Sequence, residues 1–539
     1  MIACPNCGGN VRFDISHQEV TCDYCHSFYD PYTFDSKTED GVEEKCFDAT
    51  IFTCPQCGGE IYSTDDQSAG FCSFCGASTI LFSRLERTQR PGFLIPFRKT
   101  KEDCKTAYEA HMKRAIFAPK EMKNPKCIDS FRGIYMPYWA FHYTHNGYLD
   151  IPAEKSTRKG DYIYTDHYRL QGHIDGYHKG ISHDASSSFD DNISEKLAPF
   201  DLKGMKRFTP GFLSGFYADT QDVDSKIYEG EAKKTALDSA KTLVKQHRLC
   251  SGKDVKDENL EKHLENTTKL ESLDSALFPV WFMSYRNKDR VAYATVNGQT
   301  GKVVVDIPID IKKYLLATLA LSIPLFLLFN LFLSLVPSKI LFLSGLLAVV
   351  SAYIYLVELC KMVKEQSLES DRGKFSKVNY AAAVNGAQKK VEKEKKTGRR
   401  TKRPFLFAVI FSYLGFFGIC FVVAVFSEAA QDVSSAGKSI FLWFILLLAM
   451  LICFIIGSIK MSKTPEKESV LGFIATGISV LISAAICVFD PIHDVYFYGA
   501  CVLNLLAILL NIRDIISYYN VLSTRRLPQF DKKGGDDNA

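Results

Sequence analysis

Eight cysteines near the start of the chain fall into two identical frames. Cys4, Cys7, Cys22 and Cys25 are separated by 2, 14 and 2 residues, and Cys54, Cys57, Cys72 and Cys75 repeat that spacing fifty positions later, without insertion or deletion. Both frames open alike, as Cys4-Pro5-Asn6-Cys7-Gly8-Gly9 and Cys54-Pro55-Gln56-Cys57-Gly58-Gly59. A Cys-x-x-Cys turn sets two thiolates at one edge of a tetrahedron, and the glycines let backbone amides approach the sulfurs. A short hairpin then returns the second pair to the same ion. The pattern predicts two small β zinc ribbons, over 1-34 and 50-86, holding two Zn2+ ions. A closed tetrathiolate leaves no coordination position for a substrate, so both metals are expected to hold folds together. Cys22-Asp23-Tyr24-Cys25-His26 also spells a c-type haem attachment signature, which the company of Cys4 and Cys7 disfavours.

Compartment and charge narrow the partners. The opening MIACPNCGGN has neither a basic nor an apolar stretch of secretory type, so the head is expected in the reducing cytosol. Residues 1-90 hold 6 Lys or Arg against 14 Asp or Glu, residues 91-313 hold 35 against 31, and the remainder holds 24 against 16. A nucleic-acid surface neutralises phosphates with basic side chains. The ribbon segment is acidic even before its thiolates are counted, which disfavours nucleic acid and favours a protein partner. Its aromatics Phe13, Tyr24, Phe28, Tyr29, Phe71 and Phe74 are expected to pack beneath the knuckles.

Residues 91-310 read as an α+β cytosolic domain. A strand over 93-97 leads to a helix that Thr100 caps, with Asp103 as capping-box partner. A second helix is expected over 225-248, and the charged stretch 253-271 reads as a linker or an exposed helix. Gly133 to Phe141 is an aromatic strand, and Pro137, Trp139 and Tyr143 are echoed at the same spacing by Pro279, Trp281 and Tyr285. Two related β units packed together, with the tryptophans as core, would explain the echo. Val296 to Val303 reads as a tight hairpin whose glycines supply positive φ. His142, His145, His167, His173, His178 and His183 crowd into 42 residues, so an enzyme built on strands 142-183 is one open reading. No nucleophile elbow, metalloprotease helix or phosphate-cradling loop accompanies them.

Beyond Tyr314 the chain turns apolar in runs long enough to cross a bilayer core of about 30 Å. Six spans are expected within 314-512, at 314-335, 340-359, 405-426, 439-459, 470-488 and 495-512. The loop 360-404 carries 14 Lys or Arg, and loop 460-469 and tail 513-539 are basic as well. Basic loops stay inside, so both termini are expected on the cytoplasmic side of a multi-pass cell-membrane protein. The spans hold almost no ionisable groups, which weighs against an ion pathway. Asn330 and Asn504 are expected to bond between helices, and Ala475, Ser479 and Ser483 form a small-residue packing stripe. The whole is multidomain: two zinc ribbons, an α+β domain and a six-helix transmembrane region.

The ribbon pair, Ile95-Pro96-Phe97, Tyr135-x-Pro137-x-Trp139 and Asn297-Gly298-Gln299-Thr300-Gly301 together resemble a bacterial family. Its members are membrane proteins described as containing a transcription-factor-IIB-type zinc ribbon, and some carry the name primosomal helicase. The nucleotide-binding loop that a helicase needs is missing here. The resemblance covers residues 1-310 and implies zinc on the eight cysteines. The end of the middle domain also resembles small PepSY-type modules. The expected function is non-catalytic recruitment of a protein partner by a cytosolic head. Transport or channel accessory work and the histidine-strand enzyme are the alternatives, and a small-molecule ligand of the middle domain is left open.

Overall fold

The structure is a computed structural model that describes residues 3-34, 46-64, 72-77, 81-332, 336-368, 435-461 and 470-527. The first cysteine frame folds as a three-stranded antiparallel sheet of β1 (Val11–Asp14), β2 (Glu19–Cys22) and β3 (Phe28–Tyr29). The second frame supplies β4 (Cys46–Thr53), β5 (Glu60–Ser63) and β6 (Phe82–Gln89) to a large sheet.

That sheet is built by the middle domain. Its elements in chain order are β7 (Phe93–Leu94), α1 (Lys101–Arg114), α2 (Pro125–Ile128), β8 (Arg132–Lys159), β9 (Tyr162–Asp184), α3 (Asp191–Leu197), β10 (Lys206–Arg207) and β11 (Tyr217–Asp219). Then follow α4 (Glu229–Gln246), α5 (Asp257–Thr267), β12 (Thr268–Asn287), β13 (Arg290–Asn297) and β14 (Val303–Val305). The strand order is β10-β7-β12-β8-β11-β5-β4-β6, with β9 on β8 and β13 on β12. The short strand β11 is the splice: it runs parallel to β8 and antiparallel to β5. The second frame therefore continues the middle domain's sheet.

Local expectations hold in several places. Thr100 and Asp103 form the reciprocal capping box at the start of α1. The echoed segments are neighbouring antiparallel strands, pairing Pro137 with Leu277 and Pro279 with Tyr135. Trp281 is buried, with its Nε1 donating to the Lys99 carbonyl at 2.9 Å, whereas Trp139 is only half-buried. The stretch 253-271 contains α5, which buries Leu260 and Leu264 beside β8 and is thus neither a linker nor exposed. In the β13–β14 hairpin only Gly301 has positive φ, at 79°. Gly298 serves close approach instead, since a Cβ there would lie 2.5 Å from the Phe97 ring.

Strand alternation sends the side chains of β8 and β12 to opposite faces. Tyr135 and Trp281 join a core with Phe97 and with Val11, Phe13 and Val20 of the first ribbon. Ile134, Met136, Val280 and Phe282 join a second core that includes Cys54, Cys57, Cys72 and Cys75. The two cysteine clusters thus lie against opposite faces of one sheet.

The apolar region forms α6 (Ile311–Phe332), α7 (Pro337–Leu368), α8 (Ser435–Met461), α9 (Leu471–Phe489) and α10 (Val495–Leu522). Among the described residues three helical stretches are long and apolar enough to cross a membrane: Pro337–Lys361, Leu471–Phe489 and Val495–Leu522. The expected span 405-426, most of the basic loop 360-404, loop residues 462-469 and tail residues 528-539 lie outside the described residues, as does the side chain of Asn330. Helix α10 does not stop at 512. The buried Asp514 carboxylate accepts the Gly472 N–H at 2.8 Å and pairs with Arg513, so the charged pair is satisfied within the helix and the turn continues to Leu522.

Two polar layers one heptad apart join α7, α9 and α10. Asn504 donates its amide protons to Ser344 and Ser483 at 3.0 and 3.1 Å, and Asn511 donates to Ser351 and Thr476 at 2.9 and 2.8 Å. Each hydroxyl passes its own proton to a carbonyl of its helix, leaving a lone pair for the asparagine. Ser479, of the small-residue stripe, is buried in the same seam. After α10, β15 (Arg525–Arg526) pairs with Arg290 and Val291 of β13, and Asn520 exchanges two hydrogen bonds with the Ile309 backbone. The end of the last helix is tied to the head. Asn511→Ala is expected to destabilise the bundle by about 1 kcal/mol, the scale of interhelical side-chain bonds in membranes. A denaturant titration of the reconstituted protein measures it, and an unchanged midpoint would refute the layer's role.

Candidate metal centre

Four knuckles carry the eight cysteines, and all four close in the same way. The amide of the residue after the second cysteine donates to the first cysteine's carbonyl: Gly8 to Cys4 at 2.8 Å, His26 to Cys22 at 3.1 Å, Gly58 to Cys54 at 2.8 Å and Gly76 to Cys72 at 3.0 Å. Those four donors share a left-handed backbone, with φ of 71°, 55°, 74° and 67°. Glycine adopts that region without penalty, which accounts for three of the four. The fourth is His26 of the haem-like signature, so its place is that of a turn residue. Backbone amides also reach the sulfurs, with Tyr24 N–H at 3.4 Å from Cys22 Sγ and Gly59 N–H at 3.4 Å from Cys57 Sγ.

The sulfurs converge as the spacing predicts. Cys4 lies 3.6 Å from Cys25 and Cys7 3.5 Å from Cys22, while Cys54 lies 3.8 Å from Cys75 and Cys57 3.7 Å from Cys72. A tetrahedron with metal–sulfur arms of ~2.3 Å has edges of roughly 3.8 Å, so both quartets fit one ion each. All four ligand atoms of each quartet lie within 4.8 Å of one another, and the two quartets are the groups of three or more such ligands found among the described residues. The donor sets could hold two metal ions. The Ser27 hydroxyl and backbone hold the Cys25 thiol low, at about 6, and the contact with Cys54 pushes the Cys57 thiol up while holding Cys54 down.

Their settings differ. In the first cluster Cys7 is exposed, and the knuckles carry Tyr24 and Phe28, 73% and 52% exposed. The expectation that all ribbon aromatics pack underneath is corrected here: Phe13 and Phe74 are buried, whereas Tyr24 and Phe28 project, because the ribbon's packing face is the β1–β2 hairpin. Phe71 lies outside the described residues. In the second cluster all four cysteines are buried, Phe74 packs on Phe282, and a Cβ at Gly76 would press Arg286 and Ser284 at 3.2 Å.

The six clustered histidines do not assemble. His142 sits between the Tyr177 hydroxyl and the Asp274 carboxylate, each at 3.1 Å, while His145 meets His178 edge to face. His183 stacks on Tyr228, and His167 and His173 are exposed. Sequence reasoning passed over Asp219, which lines a cleft of about 750 Å³ between β6 and β8 with Arg84, Arg87, Arg90 and Trp139. Burial raises its carboxyl to about 7, against hydrogen bonds from Ser186 and Ser188. Nothing in the local sequence marks it, because its burial comes from the β11 splice.

No known protein family and no solved structure matches the chain. The chain is similar to the uncharacterized protein YdjG of Bacillus subtilis (strain 168), at 27% identity over 321 residues, which is 58% of this chain and 90% of that protein.

Two expectations follow. Cys57→Ser should unfold β4–β6 together with β11 and β12, whereas Cys7→Ser should leave the large sheet protected; amide hydrogen exchange separates them, and equal effects would contradict the two settings. Asp219 binds its proton more tightly folded than unfolded, so its contribution is full below the ordinary carboxyl range near ~4 and is lost as pH rises to about 7. Asp219→Asn should flatten that fall in thermal unfolding midpoints, and an unchanged slope would refute it.

Proposed function

We propose that this chain is a zinc-binding, multi-pass membrane protein whose cytosolic head recruits a protein partner through the outer face of the first ribbon. The observation that carries this reading is the asymmetry of the clusters. One cluster is enclosed in the head's core, while the other rides outside and presents Tyr24, Phe28 and Tyr32 to solvent. Exposed aromatics on a rigid, cross-linked loop are what protein interfaces favour. The acidic composition of residues 1-90 argues against nucleic acid at that face. Zinc is the ion favoured by closed four-thiolate sites.

Membrane placement is part of the proposal. The chain enters the helices just after the head and returns to it as β15, as six crossings would bring it. The basic loop 360-404 supports a cytoplasmic head and tail. Membership among bacterial membrane proteins with transcription-factor-IIB-type ribbons is proposed on the same motifs. A second reading, in which the head regulates a transport or channel component, draws on the β15 tie and the Asn520–Ile309 bonds, which would pass strain from bundle to sheet.

In-cell crosslinking and affinity purification test the first reading. Tyr24→Ala/Phe28→Ala should lose a specific crosslinked protein while metal content stays at the native level. An unchanged set of crosslinked proteins would refute docking at this face.

A further inference from the structure

A cavity of about 300 Å³ lies between the β8–β9 ribbon and α4. Its floor is the inner face of the ribbon, where alternation places His145, Leu149 and Ile151 of β8 across from Gly176, Gly172 and Leu170 of β9. Ala240 and Val244 of α4, with Cys250 just beyond, form the roof, and the exposed Leu243 and Leu249 flank the mouth. Glycine hollows this space. At Gly172 a Cβ would meet nothing within 4 Å, and at Gly176 only the His145 Cβ at 3.9 Å.

The polar chemistry inside is asymmetric. His145 is 1% exposed, and its Nε2 has no hydrogen-bond partner. Its Nδ1 lies 2.8 Å from the Thr268 hydroxyl, which lies 2.6 Å from the Leu264 carbonyl. A carbonyl only accepts, so the single hydroxyl proton goes to Leu264 and the hydroxyl must accept from Nδ1–H. Nε2 is then a bare lone pair, an acceptor awaiting a donor. Burial, with His178 beside it, lowers His145 to about 4, and burial lowers His178 too, so both rings are neutral at pH 7. His173 and Asp175 line the cavity while their side chains alternate to the outer, exposed face of β9, and the exposed His247 accepts the Leu249 N–H at its Nδ1. An ionic ligand would be stranded here, and an uncharged one with a single donor would be satisfied.

We propose that this cavity binds a small, uncharged, mainly apolar molecule whose N–H or O–H group donates to Nε2 of His145. The site is independent of both metal clusters and of the ribbon's docking face.

Cys250, in the roof, reports occupancy. The full chain in lipid nanodiscs is alkylated with iodoacetamide in the presence of indole or of 1-methylindole, and the Cys250 peptide is followed by mass spectrometry. Indole, which has the donor, should slow alkylation several-fold; 1-methylindole, of nearly the same shape but without the N–H, should do so far less. His145→Phe should erase the difference between the probes, and Gly172→Leu should fill the space and abolish protection by indole. No protection by indole, or equal protection by both probes in the native chain, overturns the proposal without recourse to any variant.

Discussion

The second cysteine quartet is the constraint on which the head depends. Its four sulfurs lie within 4.8 Å of one another in a wholly buried setting and could hold one cation, which would take up the charge of their thiolates. With an ion in place, the two knuckles are locked together and β4 and β5 are held at the distance that β11 needs to bridge them to β8. The sheet then has two covered faces, with the first ribbon and its own quartet laid over one of them. The first ribbon leaves Cys7 and Tyr24 exposed, whereas all four cysteines of the second are buried.

A second tie joins the head to the apolar helices. The head leads into α6 just after β14, and α10 comes back to pair β15 with β13, with Arg525 meeting Asp190 and Asp306. Arg290 adds bonds to Thr524 and to the Val521 carbonyl. Within the bundle, the Asn504 and Asn511 layers fix rotation and register of three helices. Movement of one part therefore has short, hydrogen-bonded routes to the other.

Much of this was legible in the residues. The cysteine frames declared both quartets, since spacing alone determines which thiols can meet. The Thr100 capping box is local chemistry and came through unchanged, and the Asn297–Gly301 hairpin came through with positive φ at Gly301 alone. The echo of Pro137-x-Trp139 at Pro279-x-Trp281 suggested two β units packed together, whereas the segments are neighbouring strands of one sheet and only Trp281 is core. What stayed hidden was long-range. Two identical frames gave no sign that one would be buried and the other exposed, because that is decided by β11, three residues without a motif. The same splice buries Asp219. The crowd of histidines misled in the opposite way: alternation and the bulge at 141–143 scatter them over two faces. Helix α10 outran its apolar stretch since Asp514 finds its partner on α9, 42 positions earlier.

The central claim is that two all-sulfur tetrahedra organise the head, and X-ray absorption on the purified full chain tests it most directly. Two zinc ions per chain, each with four sulfur neighbours at about 2.3 Å, are predicted. Metal-free protein with an intact head, or a shell containing nitrogen or oxygen donors, would contradict it.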